Sequence, residues 1–494
     1  MTEGMSTMTD FGMTAGDLRL LEPLLAVSIT AALVLTVDLF RIGRDKNFAF
    51  VISLLGIVYA LVRNLMLWDV EQTPVFGGHL MVDRLGTGFN TIFLVAALFA
   101  VMLSKSYMRR AGLFLAEYFV LLLTTVMGMM VMAQAHDLVV LFLGLELLSI
   151  PLYVLAAFFR GRKQSVEAGI KYFLLGAFSS GILIYGVALL YGATGSTEIG
   201  QIVAAATAGA QDSLLFKAGL GLFIVALGFK IAAVPFHMWA PDVYEGSPTP
   251  ITAFMATAVK AAGFAALVRM FSGLSGVFGE ASVTSTISII AFATMIVGNL
   301  GALPQTNIKR MLAYSSIAHA GYILVGVAAL TVSSSADAAE AVLFYLLAYT
   351  FTNLGAFAVV VFLVGKKGEY NEITDFKGLA VRNPVLALSM AIFMFTLTGI
   401  PPTAGFFGKF FLFKAAVDVG LIWLAVTGVI LSVVSLYYYV RVVAFMYLHP
   451  SPEEDYPKME QCPWLAAVSL ISVAGILILG IFPQSLLSAL DTVF

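Results

Sequence analysis

A single cysteine, Cys462, stands in the 494 residues. That excludes a disulfide framework, a CxxC-type zinc site and a cysteine-ligated iron–sulfur cluster. Charge is also scarce: Asp, Glu, Lys and Arg make up 11% of the chain, against about 25% in a soluble domain. A water-soluble protein of this size could not cover its surface with so few charges. A soluble enzyme, a nucleic-acid binder and a disordered chain are excluded on that ground. Net charge is −2, so no acidic or basic bias selects a partner. Residues 1–17 lack a basic n-region, so no cleavable signal peptide is expected there. Met1, Met5, Met8 and Met13 leave the start methionine open.

Apolar residues are abundant: 60% of the chain is hydrophobic and mean hydropathy is +0.96. Forty-four glycines and 39 phenylalanines fit helices packed closely in lipid. A spanning helix needs about 20 mostly apolar residues, because each adds about 1.5 Å across a core of about 30 Å. Windows of that length predict fourteen spans, near 20–40, 48–68, 84–104, 114–134, 138–159, 166–192, 213–239, 248–271, 284–304, 309–330, 340–365, 384–417, 419–447 and 464–484. The runs are long and continuous, unlike the short alternating strands of a membrane barrel, so no strand is expected. The predicted class is an all-α polytopic membrane protein.

Orientation follows the basic residues. Sixteen of the 27 fall in odd-numbered loops: Arg41, Arg44, Lys46, Lys105, Arg109, Arg110, Arg160, Arg162, Lys163, Lys309, Arg310, Lys366, Lys367, Lys377, Arg382 and Lys458. The odd loops are therefore expected in the cytoplasm and both termini outside. The seventh loop, around Asp242 and Glu245, has no basic residue of its own.

Span seven contains Pro235, and span twelve contains Gly399, Pro401, Pro402 and Gly405. Proline removes a backbone donor and clashes with the preceding turn, so both helices are expected to break. A packing kink would also account for either one. Their positions match, however. Spans 4–8 and 9–13 are five-helix units starting at 114 and 284, and Pro235 lies 121 residues into the first and Pro401 117 into the second. Five is odd, so the second unit enters from the opposite side. That predicts an inverted-topology repeat with a broken fourth helix in each unit, as in ion-coupled transporters. The chain then divides into 1–113, 114–271, 284–447 and 464–494.

Lys171, Lys230, Lys260 and Lys409 lie inside spans, as does Glu146. An ionisable group near the bilayer centre costs roughly 2.5–3.5 kcal/mol on insertion scales. Lys230 and Lys260 are near mid-depth, and Lys409 follows the break of span twelve. Lys171 is close enough to the cytoplasmic interface to snorkel. Three buried lysines with one evident buried acid leave a choice between ion pairs and proton relay. Burial disfavours an ammonium and a nearby carboxylate favours it, so moving Glu146 relative to Lys230 could expel a proton. His237, seven residues after Lys230, would share its face on an unbroken helix. His319 is near mid-depth in span ten, 35 residues into its unit where Glu146 is 32 into the first. Tyr314, Ser315, Ser316, Tyr322, Tyr345, Tyr349, Thr352 and Asn353 could order water around it, or simply bond between helices.

The stretch GFKIAAVPFHMWAPDVYEGSPTPITAFMATAVKAAG at 228–263 resembles the signature of the antiporter-like subunits of respiratory complex I. Mrp-type cation/proton antiporters and membrane-bound hydrogenases are relatives of that family. LFLGLELLSIPLYVL at 141–155, NIKRMLAYSSIAHAGY at 307–322 and TGIPPTAGFFGKFFLF at 398–413 extend the resemblance over spans 4–13. Among the three related types in that complex the chain is most similar to the N type. It stops too soon for the L type with its lateral helix, and it has Lys409 where the M type typically has Glu. The resemblance implies Glu146 and Lys230 as the pair at proton intake, Lys260 as the central lysine and Lys409 as the lysine of the exit half-channel. Lys171 and His237 also match functional positions.

The resemblance further implies a proton-translocating subunit of NADH:quinone oxidoreductase in a bacterial inner membrane. Its partners would be other membrane subunits, including related antiporter-like ones and the lateral helix of the L type. No metal, NADH, iron–sulfur cluster or other cofactor is expected on this chain. A sodium/proton antiporter and a non-pumping scaffold remain as other classes.

Overall fold

The computed structural model describes residues 15–40, 46–277, 283–333, 336–363, 369–450 and 462–490. The expectations resting on residues 1–14 and on Arg41, Arg44, Lys366, Lys367 and Lys458 lie outside the described residues.

The long apolar runs form helices because lipid offers no partner to a free backbone group. The first six are α1 Glu22–Phe40, α2 Asn47–Leu65, α3 Arg84–Arg110, α4 Ala116–Gln134, α5 Leu138–Ala156 and α6 Lys163–Thr194. Two shorter helices follow, α7 Leu214–Lys230 and α8 Trp239–Gly246, then α9 Thr249–Gly273. The remainder are α10 Val283–Ala302, α11 Ile308–Val332, α12 Ala336–Phe362, α13 Pro384–Thr398, α14 Ala404–Asp418, α15 Ile422–Leu448 and α16 Pro463–Ile481. Among the described residues, twelve helices are long and apolar enough to cross a membrane. Side-chain caps mark several starts. Asp83 accepts from Gly86 N at 2.7 Å, Asp137 from Val139 N at 2.7 Å and Asn307 from Lys309 N at 3.0 Å.

Interruptions fall at the two places expected. Residues 231–238 separate α7 from α8, and residues 399–403 separate α13 from α14. A third irregularity was not expected: Met255–Val259 form a π turn inside α9. The expectation of no strand needs correction, since Thr73–Val75 and Leu80–Val82 pair as an antiparallel hairpin between α2 and α3. Its turn uses Gly77 and Gly78, both at positive φ. A search for 20-residue apolar windows passes over three-residue strands.

Helices α3, α9, α11 and α12 form the interior. The most apolar stretch of α9 is wholly buried, whereas α1, α2, α6, α15 and α16 bury about a third of theirs or less. Their other faces leave Leu39, Leu55, Phe178 and Val433 exposed. Two close approaches resemble each other. A Cβ on Gly128 of α4 would lie 2.3 Å from Leu148 N of α5, and one on Gly298 of α10 would lie 2.3 Å from Ala318 N of α11.

Candidate functional site

At the first interruption α7 ends on Lys230. The freed backbone groups find partners: Phe229 O accepts from Trp239 Nε1 at 3.0 Å, and Val234 N donates to Thr294 Oγ1 at 2.9 Å. The Val234–Pro235 peptide is cis. Lys230 is 4% exposed. Its ammonium donates to Ser149 Oγ on α5 at 2.8 Å and to Tyr172 Oη on α6 at 3.4 Å. Tyr172 stacks on Trp239 with ring centroids 4.6 Å apart. Glu146 lies one turn before Ser149 and within electrostatic reach of Lys230. Yet it makes no ion pair among the described residues, and its buried Oε1 has no hydrogen-bond partner.

Lys260 directly follows the π turn of α9 and is 1% exposed. It donates to Ser316 O at 2.5 Å and Ser316 Oγ at 2.6 Å, both on α11. Single π turns often mark functional positions, because the extra residue re-aims the side chains that follow. One turn beyond Ser316, His319 is bonded through Nδ1 to Tyr345 Oη and through Nε2 to Tyr439 Oη, the latter at 3.0 Å. The imidazole lies within electrostatic reach of both Lys260 and Lys409. Tyr439 also bonds Ser315, and the Tyr349 ring sits 5.0 Å from His319.

At the second interruption α13 ends at Thr398, and Gly399 takes φ +91°, a conformation a side chain would oppose. The Pro401–Pro402 peptide is cis. Lys409 on α14 is 5% exposed and donates to Leu397 O at 3.0 Å and Thr398 O at 2.8 Å. These are terminal carbonyls of α13, which lack an intrahelical donor and carry the negative end of the helix dipole. The ammonium also sits 4.7 Å from the centre of the Tyr322 ring. Tyr322 accepts from Asn299 at 3.1 Å, and Asn299 accepts from Tyr438 at 3.1 Å.

These contacts set Glu146 beside Lys230 and His319 between Lys260 and Lys409, which makes the five a candidate row. The partners of the three lysines were not foreseen. Each ammonium is bonded to uncharged oxygen, from Ser149 and Tyr172, from Ser316, or from Leu397 and Thr398. A neutral amine can still donate to these oxygens, so such a site can hold the side chain protonated or neutral.

One expectation changes. His237 does not share a helical face with Lys230. The chain leaves helical geometry at residue 231, and His237 sits half-buried in the connection, its Nδ1 without a partner. Lys171 stands outside the row, half-exposed, paired with Glu167 and Asp242 at 2.7 Å each. Asp242 and Glu245 also pair with Arg310, at 2.7 and 2.9 Å. The seventh loop thus takes its positive charge from α6 and α11. Of the residues expected to order water, Thr352 and Asn353 bond carbonyls of their own helix.

Buried acids are more numerous than was evident. Asp83 grips Arg269 through 2.8 and 3.0 Å bonds. Glu369 meets the fully buried Lys309 at 3.5 Å and Arg162 at 3.2 Å, and accepts from Tyr107 and Asn371. Burial pushes the Glu369 carboxyl up, but Lys309, Tyr107, Asn371 and Arg162 together hold it below its ordinary value. Its loop position gave no sign of burial. Among the described residues, no group of three or more His, Cys, Asp or Glu side chains could hold a metal ion.

Residues 135–435 match the family model described as NADH:quinone oxidoreductase/Mrp antiporter, TM. NADH-quinone oxidoreductase subunit N of Trichlorobacter lovleyi is 48% identical over 477 residues, covering 95% of this chain and 96% of that one. A chain of respiratory complex I from Thermus thermophilus with bound aureothin superposes with a TM-score of 0.81 at 34% identity, over 95% of this chain and 99% of the other. A chain of the Mrp complex from Dietzia sp. shares the fold, with a TM-score of 0.80 at 23% identity over 97% of each.

Proposed function

The chain belongs to the NADH:quinone oxidoreductase/Mrp antiporter family, among the membrane subunits of the N type, and from that premise we propose how it moves protons. It is a multi-pass, proton-translocating subunit of NADH-quinone oxidoreductase, a translocase. Protons pass along Glu146, Lys230, Lys260, His319 and Lys409. The observation that carries this reading is that each buried lysine is held by neutral oxygens, so each can be loaded and unloaded. Redox energy released in other subunits arrives as a change in the Glu146–Lys230 separation. Lys171 and His237, beside the first interruption, act at the cytoplasmic approach.

Counting α7–α8 and α13–α14 as one interrupted crossing each gives fourteen spans. Spans 4–8, residues 114–271, and spans 9–13, residues 284–447, form two inverted repeats between residues 1–113 and the last span, 464–494. Gly128 and Gly298 support this, since each lies 14 residues into its unit and meets a residue 34 in. The chain carries no redox centre and binds neither NADH nor an iron–sulfur cluster. It sits in a bacterial inner membrane with both termini outside, against other membrane subunits, related antiporter-like ones and the lateral helix of subunit L. A sodium/proton antiporter is disfavoured because ammonium groups along the row would repel sodium, which needs hard oxygen ligands.

The test is the intake pair. Glu146→Gln removes the counter-charge, while Glu146→Asp keeps it one methylene shorter. In the purified complex reconstituted into liposomes, Gln is expected to abolish most pumping per NADH oxidised and Asp to lower it partly. Equal pumping by wild type and the Gln variant, at equal assembly, would remove Glu146 from the route.

A further inference from the structure

The Lys230 ammonium has two partners to choose from on one helix. Glu146 and Ser149 are three residues apart on α5, so both side chains lie on one face of it, the side that the Lys230 side chain reaches. In this structure the ammonium sits on Ser149 Oγ, 2.8 Å away, and Glu146 is left unpaired with a buried orphan oxygen. An unpartnered buried carboxylate oxygen costs free energy, so the arrangement needs something to hold it. Ser149 is fully buried, and its own hydroxyl proton is committed to Leu145 O at 2.5 Å. Its oxygen therefore faces Lys230 as an acceptor. Tyr172, stacked on Trp239, closes the other side. Two other titratable groups are near: Tyr153 on α5, which meets Ser149 and lies 4.9 Å from Tyr172 between ring centroids, and Tyr244 on α8.

We infer that Ser149 is a positioning residue that holds the Lys230 side chain away from Glu146, so that the Ser149-bound and Glu146-paired arrangements are two alternative positions of one lysine. The ion pair then opens by transfer of the ammonium from a carboxylate to a pre-oriented hydroxyl oxygen about one helical turn along α5. The opened state has a bonded ammonium rather than a bare one, which makes it a defined stop in the cycle. This inference rests on the reading of Glu146 and Lys230 as the intake pair.

Three variants in the intact, liposome-reconstituted complex test it: Ser149→Ala, Ser149→Thr and Ser149→Ala combined with Glu146→Gln. Losing one hydrogen bond of this kind shifts a two-position equilibrium by roughly two- to tenfold. Ser149→Ala is expected to lower protons pumped per NADH by about that factor, at normal assembly. Ser149→Thr retains the hydroxyl and is expected to restore pumping, which a loss of packing would not predict. In the double variant there is no carboxylate for the lysine to fall onto, so it should pump no worse than Glu146→Gln by itself. Wild-type pumping by Ser149→Ala, equal impairment by Ala and Thr, or failure of the Ala variant to assemble would each overturn the positioning role. The underlying pair fails separately: it falls if Glu146→Gln pumps normally, and stands if Gln is impaired while Ser149→Ala is silent.

Discussion

Lys409 separates a relay from a scaffold at the level of one side chain. Its two acceptors are terminal carbonyls of α13, and an arginine could satisfy the same oxygens. Arginine keeps its proton in essentially every protein environment. The Lys409→Arg complex is therefore expected to assemble at near-normal level and to pump at least about tenfold more slowly, the smaller end of what a proton-transfer group contributes. Pumping assays on the assembled variant decide it, and a normal rate would remove Lys409 from the route. The three lysines were legible in the sequence because a charge inside a long apolar run has no bland setting. What holds them was not legible. Ser149 and Ser316 are two serines among many, and the carbonyls of Leu397 and Thr398 are backbone groups that every residue has. Ser149 carried one weak signal, standing three residues from Glu146.

At the level of helices, the contact between α4 and α5 sets where Glu146 and Ser149 stand. Gly128 lets the two backbones approach, and a Cβ there would meet Leu148 N, an atom that cannot turn aside. Gly128→Ala is expected to destabilise the subunit by about 1–3 kcal/mol through overpacking. It should lower the assembled fraction on native gels and weaken pumping in what assembles, since α5 would shift against Lys230. Unchanged assembly and pumping would mean that this approach is slack. Proline and glycine announced both interruptions, because those residues act on the backbone directly. The π turn before Lys260 went unread: Met255–Val259 contains neither residue, and its cause is tertiary packing rather than local sequence. His237 failed for the converse reason, since a seven-residue spacing carries meaning only while the helix continues.

For the whole molecule, the Lys309 and Glu369 cluster ties α3, α11 and Arg162, just before α6, to the loop after α12 and, through Ser247 O at 2.6 Å from Lys309, to the α8–α9 junction. Glu369→Gln leaves a fully buried ammonium without its carboxylate, a change that costs about 3–5 kcal/mol in comparable pairs. The thermal midpoint of the variant complex is expected to drop at neutral pH. The carboxyl is held below its ordinary value of 4.5, so its contribution is complete above that pH and is lost as pH falls through the lowered value. The gap between wild type and variant should hold from pH 7 to about 5 and close in stronger acid. A gap independent of pH would show that the pair is not its source. Orientation is testable on the same scale. An alkaline phosphatase fused after Phe494 should be active and one fused after Lys377 inactive, and the reverse would invert the membrane assignment.

The neutral oxygens around the buried lysines have an electrical consequence. Between Lys260 and Lys409 the acceptors are neutral oxygens, so each proton that enters there adds a net positive charge to a medium that screens it poorly. In general, two unit charges about 10 Å apart at an effective dielectric constant of about 20 repel by roughly 1.7 kcal/mol. On the proposed route, occupancy of one station therefore lowers occupancy of the next, and loading along the row is anticooperative. His319, within reach of Lys260 on one side and Lys409 on the other, feels both neighbours at once. On the proposed route, a newcomer at Lys260 would then push its predecessor at Lys409 onward by repulsion through the field, without any helix having to carry the message.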